Sequence, residues 1–177
     1  MRTLLMAAAP LALLASPALA QDATGTVAID GSVAGRCLFT LPNQTISLGE
    51  IALAGADGSA GRLDVSKVNG RTATLVGWCN HTAASMSVTT TELTGPALTA
   101  TGFDNRVDYT ATATANSTDA SDTSLTPGAG SAATVGMFTG NILVTLSNAS
   151  TPTGGLMVAG GYTGNVQVTL SPNFMGE

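Results

Sequence analysis

The chain is short of the groups that chemistry needs. Of its 177 residues only 10% are charged and 4% aromatic, with one histidine, one tryptophan and two cysteines. Any Ser-His or Cys-His mechanism would have to use His81, which sits in a polar turn between Asn80 and Thr82. No nucleophile elbow, phosphate loop or metalloprotease histidine pair occurs, so catalysis is not expected. The acidic residues are scattered. The nearest groupings, Asp57 with Asp64 and Asp104 with Asp108, lack the spacing of a calcium loop and read as solvated charge. A zinc site would need more ligands near Cys37 and Cys79 than His81 supplies. Neither a metal nor a cofactor is therefore expected. Six Lys plus Arg against eleven Asp plus Glu give a formal charge of −5, which offers no patch for nucleic acid or anionic lipid. After residue 20 no apolar run approaches the roughly 20 residues that cross a bilayer as a helix.

The first twenty residues are of a different kind from the rest. Arg2 is followed by an apolar stretch from Leu4 to Leu14, broken only by Pro10, and then by Ser16-Pro-Ala-Leu-Ala20 with its Ala-x-Ala ending. This is the pattern of a secretory signal peptide cut before Gln21, with a run too short for an anchoring helix. The mature stretch, Gln21 to Glu177, suits a single domain. Export implies an oxidising compartment, in which Cys37 and Cys79 have one possible pairing within the chain. Such a bridge would be worth about 4 kcal/mol in the chain-entropy model. Free or metal-binding thiols are the alternative.

What the mature chain has in quantity is short-range alternation. In Gly25-Thr-Val-Ala-Ile-Asp-Gly-Ser-Val-Ala-Gly-Arg-Cys37 and just before it, Ala23, Gly25, Val27, Ile29, Gly31 and Val33 share one side. Thr24, Thr26, Ala28, Asp30 and Ser32 share the other, the period of a strand with one apolar face. Leu38 to Leu41 continues extended until Pro42-Asn43. Thr45 to Leu53 reads as a strand whose pattern shifts at Gly49, and residues 54–61 as a glycine-rich loop. Arg62 to Asn69 is expected to be a strand joined through an Asn69-Gly70 hairpin turn to Arg71–Cys79, with Trp78 pointing away from Cys79. Ala84, Met86 and Val88 alternate, as do Val107, Tyr109, Ala111 and Ala113, then Ile142, Val144 and Leu146. Residues 115–134 carry no period and are either a surface loop or a hidden strand. The last strand, Gly161 to Leu170 with Tyr162, Val166, Val168 and Leu170, is stopped by Pro172. There is no convincing amphipathic helix. Roughly seven to nine short strands make an all-β antiparallel sandwich or barrel.

The opening Gly25-Thr-Val-Ala-Ile-Asp-Gly-Ser-Val…Cys37 resembles the start of chaperone-usher pilin subunits, as do Asn43–Gly49, the glycine loop and a second cysteine ending a strand. The closing Ala159-Gly-Gly-Tyr162-Thr-Gly-Asn-Val-Gln-Val-Thr-Leu170 is similar to the last strand of spore coat protein U-type domains of archaic chaperone-usher pili. This resemblance implies an immunoglobulin-like β-sandwich, residues 33–177, that lacks one strand and is preceded by a donor extension, residues 21–32. Residues 23–30 would be the donated strand, with Val27 and Ile29 as its main plugs and Ala23 and Gly25 where the acceptor is shallow. The implied function is a structural subunit of a surface fibre that supports adhesion or biofilm formation. The implied partners are neighbouring pilin subunits in a homopolymer, a periplasmic chaperone and an outer-membrane usher. A self-contained exported sandwich that binds a surface, glycan or protein through residues 115–134 and Trp78 is the alternative.

Overall fold

The computed structural model describes residues 21–98 and 100–173; the expected leader, residues 1–20, lies outside them. Residues Ala34–Glu177 make one compact unit, and the stretch before them is described by itself.

Regular structure among the described residues is strand, apart from one 3-10 turn at Val65–Lys67. The strands are β1 (Cys37–Leu41), β2 (Thr72–Cys79), β3 (Ser85–Thr90), β4 (Leu93–Thr94), β5 (Phe103–Asp104), β6 (Arg106–Ala115), β7 (Thr118–Thr123), β8 (Ala133–Thr134), β9 (Phe138–Ser150), β10 (Leu156–Met157) and β11 (Val166–Ser171). The large sheet has the order β1-β2-β9-β6-β4, with β7 also paired to β6, and the smaller one has the order β11-β3-β8. Every ladder in both is antiparallel. The short β10-β5 pair is parallel.

The two sheets share one core. Ala111, Ala113, Ile142 and Val144 of the large sheet cluster with Met86, Val88 and Val168 of the small one. The alternation seen in the sequence puts them there, since every second residue of a strand faces the same way. Alanine at every second position of β6 lets the sheets approach closely, and Met86 and Ile142, both wholly buried, fill the space. The long β9 keeps its register with β6 until Asn148, which adopts φ 53° where the pairing slips between Asp108 and Thr110. Such a one-residue bulge bends the strand.

Several segments differ from the sequence expectation. No ladder includes residues 21–36, although their pattern is strand-like. Alternation specifies an extended backbone, but a strand also needs a partner. Residues 62–69 are not a strand. Asp64 accepts the N–H of Ser66 at 3.1 Å and starts the 3-10 turn. Gly70, at φ 76°, does turn the chain, yet the partners of β2 are β1 and β9. The stretch 115–134 hides β7, joined to β6 by Asn116-Ser117, both at positive φ as a tight two-residue hairpin requires. Tyr162 lies ahead of β11, outside the closing strand to which its sequence position points.

Candidate functional site

A groove runs along one side of the sandwich, between the segment 44–52 and the segment 157–166. Residues 42–50 join no ladder, and Gly49 among them has φ 69°. Ile46 and Leu48 turn inward onto the core while Thr45, Ser47 and Gly49 remain exposed. Across from them lies the segment 157–166, which leads into β11; among the described residues β11 pairs only with β3, and Val166 is its one residue in the groove lining. The floor is core: Ala73 and Leu75 of β2, Val144 and Leu146 of β9, Leu93 and Tyr109. This part encloses about 350 Å³. It continues, through Ile46, Leu48, Leu93 and Gly164, into a wider section of about 630 Å³ between residues 49–52 and Met157–Thr163.

At one end the sandwich closes. A Cβ placed on Gly77 would lie 3.4 Å from both Phe39 and Leu170, so β1 and β11 meet there. At the other end Ile51–Leu53 is pinned to residues 61–64, with Leu53 N–H donating to Arg62 O and Asp64 N–H to Ile51 O, each at 2.8 Å. Met157 N–H donates to Gly61 O at 2.7 Å and draws the second wall to the same place.

That second wall is built on two residues. The Tyr162 ring lies directly on Gly95, where a Cβ would come within 2.5 Å of it, and its hydroxyl donates to Val158 O at 2.9 Å and Asp104 O at 3.2 Å. The buried Asp104 carboxylate accepts Gly155 N–H at 2.7 Å and the Thr153 hydroxyl at 3.0 Å, while its own carbonyl accepts Val158 N–H at 3.0 Å. Burial alone would raise its pKa. The hydrogen bonds from Gly155, Thr151 and Thr153 outweigh that and hold the carboxyl below its usual range. Tyr109, in the floor, is pushed up to about 12 by burial, with Glu92 adding to the shift, so the phenol stays neutral. The groove is therefore a trough floored mainly by apolar side chains, with Glu50 the one charged residue on its walls. Its chemistry suits an extended chain whose alternate side chains are apolar: main-chain bonds to the lips, side chains into the floor.

The expected site residues fall into three places. Cys37 and Cys79 form a disulfide, S–S 2.04 Å, between β1 and β2. Val166, Val168 and Leu170 share one face of β11, and Val166 alone of them lines the groove. Ala23, Gly25, Val27 and Ile29 lie in the exposed stretch ahead of the sandwich unit, Val27 at 84% and Ile29 at 92% exposure. Trp78 is half-buried in β2, paired across strands with Leu38 and Thr139. The Nδ1 of His81 accepts Ala83 N–H at 3.2 Å. Asp57 accepts Ser59 N–H at 2.8 Å, a turn-forming role, and no group of three or more metal-ligand side chains occurs among the described residues. The sequence alone assigns neither the lip from Gln44 to Leu48 nor the anchoring by Asp104. The alternation of Ile46 and Leu48 beside Pro42-Asn43 is a signal for the first, and nothing local marks the second. No protein-family model matches this chain, and neither does any curated protein or solved structure compared with it.

Proposed function

We propose that this protein is the structural subunit of a surface fibre, polymerised by laying residues 23–30 of one copy in the groove of the next. The observation that carries this reading is the fit between two halves of the same sequence. The sandwich has a groove floored by core residues beside the edge strand β11, and the extension has apolar side chains at every second position with nothing on its opposite face but Thr24, Thr26, Ala28 and Asp30. Backbone pairing supplies affinity and the alternation supplies register. Delivery through the periplasm by a chaperone and an outer-membrane usher, to a cell-surface role in adhesion or biofilm formation, belongs to the same proposal, because an uncovered core needs a guardian until a neighbour fills it. The test is size: full-length mature chain should form polymers, and chain lacking residues 21–30 should stay unpolymerised while keeping its disulfide and strand content. A full-length protein that is a stable monomer with residues 23–30 protected from hydrogen exchange would overturn the proposal.

A further inference from the structure

Cys37 and Cys79 are bonded to each other, so the oxidisable sulfur among the described residues is in Met86, Met137 and Met157. The three stand in different surroundings. Met86, in β3, is wholly buried. Met137 is 59% exposed and lies outside the groove lining. Met157 is half-buried, packs against the core and lines the wider section of the groove, where it is the one sulfur among the lining residues.

The main chain holds Met157 at that place. Its N–H donates to Gly61 O at 2.7 Å, the next residue's N–H donates to Asp104 O at 3.0 Å, and Met157 itself pairs with Asp104 in the β10-β5 ladder. The same section of groove is lined by apolar Ile51, Ala52, Leu93 and Val158. The Tyr162 hydroxyl in it already donates to Val158 O and Asp104 O.

A chain lying along the groove passes this wall whichever way it runs. Residues 23–30, fully extended, span about 27 Å, close to the most that the wall 44–52 can itself span, so such a segment lies against both sections. The extension has no sulfur of its own. Oxidation of methionine would therefore act on the subunit that accepts and leave the donated segment unaltered.

Resting on the donor reading above, we propose that Met157 is an oxidation switch on the groove: hydrogen peroxide converts its thioether to a sulfoxide and so weakens the docking of a neighbour's extension. The peroxide gives one oxygen to a sulfur lone pair and leaves as water, with no bond of the chain broken. The sulfoxide oxygen is a polar acceptor on a wall that docking takes out of water. A segment that presents Ala23, Gly25, Val27 and Ile29 brings no side-chain donor to satisfy it.

The experiment treats full-length mature chain with dilute hydrogen peroxide, maps the sulfoxides by peptide mass spectrometry and follows polymer by sedimentation. Met157 and Met137 should oxidise while Met86 stays reduced and circular dichroism is unchanged. The concentration at which polymer appears should rise roughly tenfold, the effect of one polar group left unpaired, and methionine sulfoxide reductase should reverse the rise. Met157→Leu should polymerise like untreated wild type with or without peroxide, whereas Met137→Leu should stay sensitive. Should Met157→Leu fail to fold, Met157→Ile serves instead, alongside reductase reversal in Met137→Leu. Met157 oxidised without loss of assembly, Met157 unreactive in the folded chain, or Met157→Leu as sensitive as wild type overturns the switch while leaving the donor reading intact. Polymerisation that survives deletion of residues 21–30, or that is absent from untreated chain, overturns the donor reading and with it this role of Met157.

Discussion

The two faces of the extension can be told apart by substitution. Val27 and Ile29 are 84% and 92% exposed in the single chain, so docking in a neighbour would bury nearly all of both side chains. Burial of one such side chain is worth about 1.5–3 kcal/mol. Truncating Ile29 to Ala removes about 2 kcal/mol of that, which weakens each junction roughly thirtyfold. Val27→Ala, with fewer carbons lost, should cost roughly tenfold by the same scale. Ile29→Asp should abolish assembly, because an unpaired carboxylate would be set against a floor of apolar side chains. Thr26→Ala and Ala28→Ser, one position away on the other face, should leave junction strength within a few-fold. The readout is the concentration at which polymer appears, followed by sedimentation, with intact disulfide and unchanged circular dichroism as the check on folding. Equal effects on the two faces, or none on either, would refute the idea that alternate side chains seat in the groove.

Two further outcomes probe the frame around it. Gly130 crosses β7 so closely that a Cβ would overlap the carbonyl oxygen of Ser121, and backbone cannot yield as a side-chain tip would; Gly130→Ala should destabilise the sandwich by about 1–3 kcal/mol in denaturant titration. Because the Asp104 carboxyl ionises below its usual range, its contribution is complete above the unfolded carboxylate value near 3.9 and is lost as pH falls through the lower folded value. Wild-type protein should therefore lose more stability on acidification from neutrality than Asp104→Asn, measured as unfolding midpoints across the range; parallel losses would contradict that role for Asp104.

Much of the sandwich is legible in the sequence because its core positions alternate with polar ones. Val107 to Ala113 lies in β6, Ile142 to Leu146 in the middle of β9, and Val166 to Leu170 within β11. The strand β7 is invisible, since Thr118-Asp-Ala-Ser-Asp-Thr123 has only Ala120 to mark an inner face; its buried Asp122 accepts the N–H of Thr90 at 2.7 Å, a role that hydrophobic pattern cannot signal. The hairpin before it is equally hidden, because Asn116-Ser117 does the work usually given to Asn-Gly. Residues 62–69 depart from a strand for a local reason, the competition of the Asp64 side chain for backbone N–H groups. The extension and one lip of the groove are both written as alternating residues. The opposite lip, 157–164, depends on contacts such as Tyr162 on Gly95 and Asp104 under Gly155, which join positions far apart in the chain and leave no period to read.

The most direct measurement is of who touches whom in the assembled protein. Polymer grown from equal parts of two chains, one labelled at Val27 and Ile29 and the other at Leu75 and Val166, can be probed by solid-state magnetic resonance for contacts between the two labels. Strong cross-peaks between differently labelled copies are expected, seating the extension of one over the core of another. If those contacts arise only within a single copy, or if residues 23–30 stay solvated in the polymer, the extension is not the link between subunits.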